Sequence, residues 1–289
     1  MKSRKIEKRR SLISAARGLG HWLSNLLLNR KMTVVPIAPL DLVYRIKPNT
    51  IFSWNLVKYR AFESDNTNFI TSNYPFDSGG LFVDVGANFG WYTCLFAKIA
   101  AKEGKVIAFE PDRENRSLLL QNLECNRLSN VTINPCAVGE KEGRAHLLHA
   151  PDTNPGMHSI VAMPHTKKHA DSQEIRVTSL DEALNDYQGS IRLLKIDIEG
   201  YEIDALLGAS KTLARCDAVL VEYSPSFLAA AGRRPYQLIQ IMQDAGFEIY
   251  RLSEGVPVKM DAEALKEIEF EVKKWYYHQV DLLCIKKPH

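Results

Sequence analysis

Phe82-Val83-Asp84-Val85-Gly86-Ala87-Asn88-Phe89-Gly90 is the stretch whose reading decides the fold. An apolar run of strand length, Leu81–Val85, stops at Gly86, and helical periodicity takes over at Trp91 and continues to Lys102. Strand, glycine turn and helix in that order open a βαβ unit. Gly86 and Gly90 allow the tight turn and a close approach of backbone to a ligand. The pattern D-x-G-x-N-x-G differs from the dinucleotide fingerprint G-x-G-x-x-G. Asn88 stands at the second glycine position. Asp84 lies just before the turn, where a carboxylate repels a pyrophosphate and suits an ammonium group.

Working outward, strands are predicted at Lys105–Phe109, Val131–Cys136, Arg144–His149, Glu174–Thr178, Ile191–Ile196, Ala218–Glu222, Phe247–Leu252 and Gln279–Ile285. Helices are predicted at Asn115–Arg127, Leu180–Asn185, Ile203–Ala214 and Tyr236–Ala245. Short apolar strands alternating with helices imply an α/β fold with a mostly parallel sheet covered on both faces. Ligands of such sheets bind beyond the carboxyl ends of the strands, near the point where strand order reverses. Upstream, Pro36, Pro39, Pro48 and Pro75 break up residues 32–80, which read as an accessory region with a short strand at Asp41–Ile46 and a helix from Trp54 to Phe62. The expected organisation is a leader at 1–31, this accessory region at 32–80 and a catalytic domain at 81–289.

The second strand ends in Phe109-Glu110-Pro111, with Glu110 24 residues after Gly86. An acid there binds a ribose diol in nucleoside-binding α/β folds. A ligand with a ribose, a cationic amino-acid part and no phosphate is expected, and S-adenosylmethionine has all three.

Three motifs in order, Phe82–Tyr92 (FVDVGANFGWY), Ala108–Pro111 (AFEP) and Lys195–Glu202 (KIDIEGYE), resemble the FkbM-type family of S-adenosylmethionine-dependent methyltransferases. The resemblance runs from about Gly80 to Phe247, more than half of the chain. It implies a Rossmann-like class I methyltransferase fold, seven strands with the last antiparallel, and methyl transfer to hydroxyls of sugars, glycolipids or polyketides. It further implies that Asp84, Gly86, Ala87, Asn88 and Gly90 line the methionine end of the cofactor. Glu110 and Pro111 then face the ribose, and Cys136 and Ala137 flank the adenine. No acid follows Cys136 until Glu140, so a side-chain reading of the adenine amino group is not expected.

Methylating an alcohol requires in-line alignment and removal of one proton, which a general base or a metal assists. In Leu194–Gly200, strand alternation puts Lys195, Asp197 and Glu199 on one side. Asp197 is the first candidate for positioning the acceptor or taking its proton. Glu199 could orient the acceptor, bind a metal or cap the next helix, and Lys195 could lower a neighbouring pKa. Glu222 ends the following strand, and His158 sits in a polar insertion, Asn154–Ser159, of the kind that covers sites. No metal site is assigned, and dependence on a divalent metal stays open.

The chain carries 37 Lys+Arg and 34 Asp+Glu over 289 residues, and the charge is uneven: residues 1–31 hold nine bases and one acid, a charge of +8, and the rest is −5. An acidic body argues against a nucleic-acid substrate. At helical spacing Leu12, Ile13, Ala16, Leu19, Leu23, Leu26 and Leu27 share one face of the leader. A basic amphipathic helix of this kind docks on the body, on a second subunit of a homo-oligomer, or peripherally on an anionic membrane. No run of 18 apolar residues exists, and the location expected is cytoplasmic or at the inner face of a membrane. The five cysteines, widely spaced and odd in number, suit free thiols better than disulfides or a zinc site. Two other functions stay open: a nicotinamide-dependent oxidoreductase on a similar sheet, and a non-catalytic, membrane-associated scaffold with a degenerate methyltransferase fold.

Overall fold

The computed structural model describes residues 32–75, 79–162, 172–261, 263–265 and 279–287. The leader, His165 and His169 lie outside the described residues.

Two short strands, β1 (Thr33–Ile37) and β2 (Leu42–Ile46), pair antiparallel and precede helices α1 (Ile51–Tyr59) and α2 (Ser64–Asn73). Then β3 (Leu81–Val85), α3 (Trp91–Ala100), β4 (Lys105–Phe109), α4 (Arg113–Cys125) and β5 (Val131–Asn134) build one side of the main sheet. Three strands, β6 (Ala137–Val138), β7 (Gly143–Leu148) and β8 (Ser172–Thr178), form a small separate sheet. The chain continues through α5 (Leu180–Ala183), β9 (Ile191–Ile196), α6 (Glu202–Leu207), α7 (Ser210–Ala214), β10 (Ala218–Tyr223), α8 (Pro225–Ala230) and α9 (Tyr236–Asp244). It ends with β11 (Phe247–Ser253), β12 (Val256–Lys259) and β13 (Val280–Lys286).

The main sheet has the order β12-β11-β13-β10-β9-β3-β4-β5. Strands β5, β4, β3, β9 and β10 pair parallel to their neighbours, and β13 runs antiparallel between β10 and β11. This is the expected α/β, class I arrangement with its last strand reversed. An eighth strand, β12, extends it as an antiparallel hairpin on β11. Order reverses at β3, whose neighbours are β4 on one side and β9 on the other, so the ligand crevice belongs above β3 and β9.

Alternation along the strands sorts the core into two layers. Phe82, Val106, Ala108, Leu193 and Leu220 pack with α3, α4 and the N-terminal elements. Leu81, Val83, Val85, Ile107, Leu194, Ile196, Val219 and Val221 pack on the opposite face with Ile203, Leu206, Leu238 and Met242 from α6 and α9. Burying both faces is what makes these strands read as continuous apolar runs.

The strand Thr33–Ile37, the helices Ser64–Asn73 and Pro225–Ala230 and the strand Val256–Lys259 were not foreseen, the helix foreseen from Trp54 to Phe62 lies at Ile51–Tyr59, and two foreseen elements are divided. The strand foreseen over Val131–Cys136 leaves the main sheet after Asn134 and resumes in the small sheet at Ala137. The helix foreseen over Ile203–Ala214 is two helices divided at Gly208–Ala209. A Cβ at Gly208 would strike the backbone carbonyls of Gly139 and Glu140, and the Asp181 carboxylate captures the N–H groups of Lys211 (3.0 Å) and Thr212 (2.7 Å) to start the second helix afresh. All five cysteines are free, four of them buried and Cys125 exposed. Among the described residues no helix is long and apolar enough to cross a membrane.

Candidate active site

The strand tips converge because their backbones touch. The Asp197 N–H donates to the Val85 carbonyl at 3.0 Å, tying β9 to β3. Gly86 has φ +84°, and a Cβ there would overlap the carbonyl oxygen of Asp197. Glycine is thus required at this turn by conformation and by space alike. Asn88, also in the left-handed region at φ 51°, turns its N–H onto Glu110 Oε2 at 2.6 Å, while the Asp112 N–H reaches Glu110 Oε1 at 2.9 Å. Burial raises Glu110 to about 8, and these two N–H donors work against the rise.

Above the tips lies a cavity of about 250 Å³. Its wall includes Gly86, Ala87, Asn88, Glu110, Pro111, Cys136 and Ala137 from the expected cofactor set, and Lys195, Asp197, Glu199, Glu222 and His158 from the expected catalytic set. Two expected residues stand apart. Asp84 is 1 % exposed and absent from the wall, and its Oδ2 accepts the Thr93 hydroxyl at 2.5 Å. Alternation sends this side chain beneath α3 with Phe82, so it supports the site from below in place of meeting a ligand's ammonium group. Gly90 also stays off the wall, because its missing Cβ makes room for Leu119 between α3 and α4.

Lys195 pairs with Asp84 in the β3–β9 register and donates to Asp197 Oδ2 at 2.8 Å. Burial disfavours its charge, but Asp197, Glu63 and Asp84 outweigh that and hold the ammonium well above its usual range. Tyr92 of α3 lies with its ring centroid 4.6 Å from the Lys195 ammonium.

Glu199 does not continue the strand as the alternation argument assumed. It sits in a turn at φ 54°, with Oε2 accepting from Gln279 Nε2 at 3.0 Å. The residue that holds this turn is Glu202, whose carboxylate accepts the N–H groups of Ile198 (3.0 Å) and Gly200 (3.1 Å). Glu222 points into the same space, and its Oε2 has no hydrogen-bond partner among the described residues. Burial, followed by the charge of Asp197, pushes both Glu199 and Glu222 well above the ordinary carboxylate range.

His158 reaches the wall, but its Nδ1 accepts the Ala150 N–H at 2.9 Å. Burial lowers its pKa to about 4. A ring so hard to protonate is a weak proton acceptor at neutral pH, which moves His158 from candidate base to wall residue.

Sequence reasoning missed the contribution of the N-terminal elements. Phe52, Asn55, Phe62 and Glu63 all line the cavity. Glu63 is held at φ 43° ahead of α2, accepting hydrogen bonds from the Tyr92 hydroxyl and from Asn66 Nδ2 (3.0 Å). Burial, then the neighbouring Asp281, raises it to about 7, with Lys195 pulling the other way. In the sequence Glu63 is an acid directly after the helix foreseen from Trp54 to Phe62, which is no signal on its own.

Residues 84–249 match the model of the "Methyltransferase FkbM domain", more than half of the chain. The chain belongs to the FkbM methyltransferase family. "Methyltransferase 1" of Beauveria bassiana (strain ARSEF 2860) is 30 % identical over 151 residues, covering 46 % of this chain and 60 % of that protein. "Methyltransferase sdnD" of Sordaria araneosa is 29 % identical over 211 residues, 62 % of this chain and 77 % of its own. The crystal structure of methyltransferase FkbM from Methylobacillus flagellatus KT is similar at a TM-score of 0.45 and 18 % identity, covering 80 % of this chain and 52 % of that one. This FkbM chain therefore spans little more than half of the Methylobacillus protein and three fifths of the Beauveria one.

Proposed function

We propose that this chain uses S-adenosylmethionine to methylate a hydroxyl group of a sugar, a glycolipid or a related polyhydroxylated acceptor. The observation that carries the reading is the Lys195–Asp197 pair at the tip of β9, on the wall of a cavity completed by Gly86–Asn88 and Glu110.

The residues fit the cofactor. Glu110, fixed by two backbone N–H groups, has a carboxylate suited to a ribose diol. Phe109, Cys136, Ala137, Val138 and Leu147 give an apolar flank for a flat base. Glu63, Asp197, Glu199 and Glu222 make that part of the wall acid-rich around one lysine, which suits a ligand bearing sulfonium and ammonium charges. When bound, that ligand supplies a methyl group already activated for transfer. The chain's own work is to align an acceptor and handle one proton. Lys195 holds Asp197 Oδ2, which leaves Oδ1 to accept a hydrogen bond from an acceptor hydroxyl and to take its proton as the oxygen attacks. Phe52, Phe62 and Met157 give the cavity an apolar wall. The basic pattern of residues 1–31 supports peripheral contact with an anionic membrane, where a glycolipid acceptor would be met.

Calorimetric titration with S-adenosylmethionine, followed by transfer of labelled methyl to glycan and lipid extracts, tests the reading. Asp197→Asn is expected to keep cofactor affinity and lose most turnover. Binding of NAD in place of S-adenosylmethionine, or full turnover in Asp197→Asn, would overturn it. Equal binding to anionic vesicles with and without residues 1–31 would reject the membrane role of the leader.

A further inference from the structure

We propose that Asp197, Glu199 and Glu222 form a binding site for one divalent cation, a hard oxygen-preferring ion such as Mg²⁺ or Mn²⁺. One carboxylate oxygen from each of the three lies within 4.8 Å of the others. That spacing lets a single ion touch all three. Two of the residues are deeply buried, Glu199 and Glu222 each being 8 % exposed. Independently of that proximity, Glu222 Oε2 has no hydrogen-bond partner among the described residues, although its residue is more than nine-tenths buried and faces the cavity. A buried carboxylate oxygen left without a donor costs free energy unless something positive meets it.

Among the described residues, little positive charge faces these oxygens. Lys195 is engaged with Asp197 Oδ2, and Gln279 brings a neutral amide to Glu199 Oε2. These contacts fix the orientation of each carboxylate, as outer partners do in metal sites, and leave Glu199 Oε1 for an ion; at Asp197 Oδ1 the ion takes one lone pair and the acceptor hydroxyl the other. The turn itself is braced. Glu202 holds the N–H groups of Ile198 and Gly200, and the Ser159 hydroxyl donates to the Glu199 carbonyl at 2.7 Å.

The donor set decides the kind of ion. Three carboxylates with no thiol or imidazole among them favour Mg²⁺ or Mn²⁺ over softer metals. Three protein ligands leave other coordination positions to water or to acceptor oxygens. The binding site stands on its own geometry, whereas a role in drawing a vicinal diol toward Asp197 rests on the methyl-transfer reading above.

Titrating Mn²⁺ into the full chain with no methyl donor present, and following the free-ion signal by electron paramagnetic resonance, tests the site. One saturable Mn²⁺ per chain, displaced by excess Mg²⁺, is expected. Glu222→Gln and Asp197→Asn should each weaken it at least tenfold, with circular dichroism confirming that both variants are folded. No loss of the free Mn²⁺ signal at millimolar concentration would overturn the proposal. So would Mn²⁺ binding that both folded variants retain at wild-type strength, since the ion would then sit elsewhere. A parallel titration with S-adenosylmethionine separates the two ideas. Mn²⁺ binding without S-adenosylmethionine binding keeps the metal site and removes the methyl-transfer reading, and the reverse pattern does the opposite.

Discussion

The rim formed by the tips of β3, β9 and β10 and the cover formed by β1, β2, α1 and α2 meet in one cavity but are assembled by different physics. Backbone builds the rim: the Asp197 N–H on the Val85 carbonyl, the Asn88 N–H on Glu110, and a glycine pressed against a carbonyl. Side chains reaching across long stretches of sequence attach the cover. Asn122 of α4 and Asn126, which caps that helix, act as a surrogate strand for the free edge of β2. Asn122 accepts from the Arg45 N–H (2.6 Å) and donates to its carbonyl (3.1 Å), and Asn126 repeats this with Val43 at 2.7 Å for both bonds. The Tyr44 hydroxyl donates to the Trp91 carbonyl at 2.9 Å, and Phe52 and Phe62 close on Phe89. A site can therefore take its chemistry from a rigid rim and part of its enclosure from a cover held by a few replaceable contacts.

The hardest blow to this comparison falls on the rim. Gly86→Ala puts a Cβ into the Asp197 carbonyl at a φ of +84°, where neither group is a flexible side-chain end that can yield. Overpacking together with left-handed strain should cost roughly 3–5 kcal/mol, a large part of the stability of an ordinary domain. Urea denaturation gives the answer directly. A loss below about 1 kcal/mol, within the range of a mild surface change, would show that the β3 and β9 tips can separate and that the rim is not rigid.

The next test strikes the cover. Asn122→Ala leaves the Arg45 N–H, the Arg45 carbonyl and the Phe89 carbonyl without the partner that now serves all three. With about 1–3 kcal/mol for each buried group deprived of its partner, softened by relaxation, a loss of about 3 kcal/mol is expected. Hydrogen exchange should speed up at Val43 and Arg45 while the amides of β3 keep their protection, because the damage is local. Equal acceleration in both places would mean that rim and cover open as one unit.

The same difference explains what the sequence could tell. Leu81–Val85, Lys105–Phe109 and Ile191–Ile196 were legible to the residue because strands buried on both faces are mostly apolar and are followed by a glycine or an acid. Gly86, Asn88, Glu110 and Asp197 were legible because a parallel sheet sends its strand tips to one place. Asp84 lies off the cavity wall, since spacing says which residue is near a tip and not which face of the sheet its side chain takes. Helix α2 and Glu63 were illegible for another reason. Ser64–Asn73 is polar, with four apparent interior residues, two of which are the buried Asn66 and Thr67. Asn66 donates to Asp281, 215 residues away, at 2.7 Å. No local pattern reports a partner so distant. The break at Gly208 escaped for the same cause, since the carbonyls that forbid a Cβ there belong to Gly139 and Glu140.

The smallest effect sought is electrostatic and lies where cover meets rim. Glu202 and Glu110 are buried and Glu63 is half-buried, with pKa values raised to about 7, 8 and 7 from 4.5. A carboxyl whose pKa is higher in the folded chain binds its proton more tightly there than in the unfolded chain. Its contribution to stability is full below the unfolded pKa and is lost as pH rises through the folded value. His158 works in the opposite sense, since its lowered value of about 4 costs stability only as pH falls below 6.5. The window from about pH 6.5 to 8.5 therefore isolates the carboxyls, and across it the wild-type chain should become less stable as pH rises. Glu63→Gln preserves an oxygen able to accept from Tyr92 and Asn66 while removing the ionisation. It should flatten the slope by roughly 1 kcal/mol over that window and leave the shares of Glu110 and Glu202 in place. Urea midpoints at the two ends of the window measure it. An unchanged slope in the variant would mean that Glu63 does not titrate between pH 6.5 and 8.5, so that the cover's carboxyl keeps one charge state across the window and does not separate electrostatically from the rim.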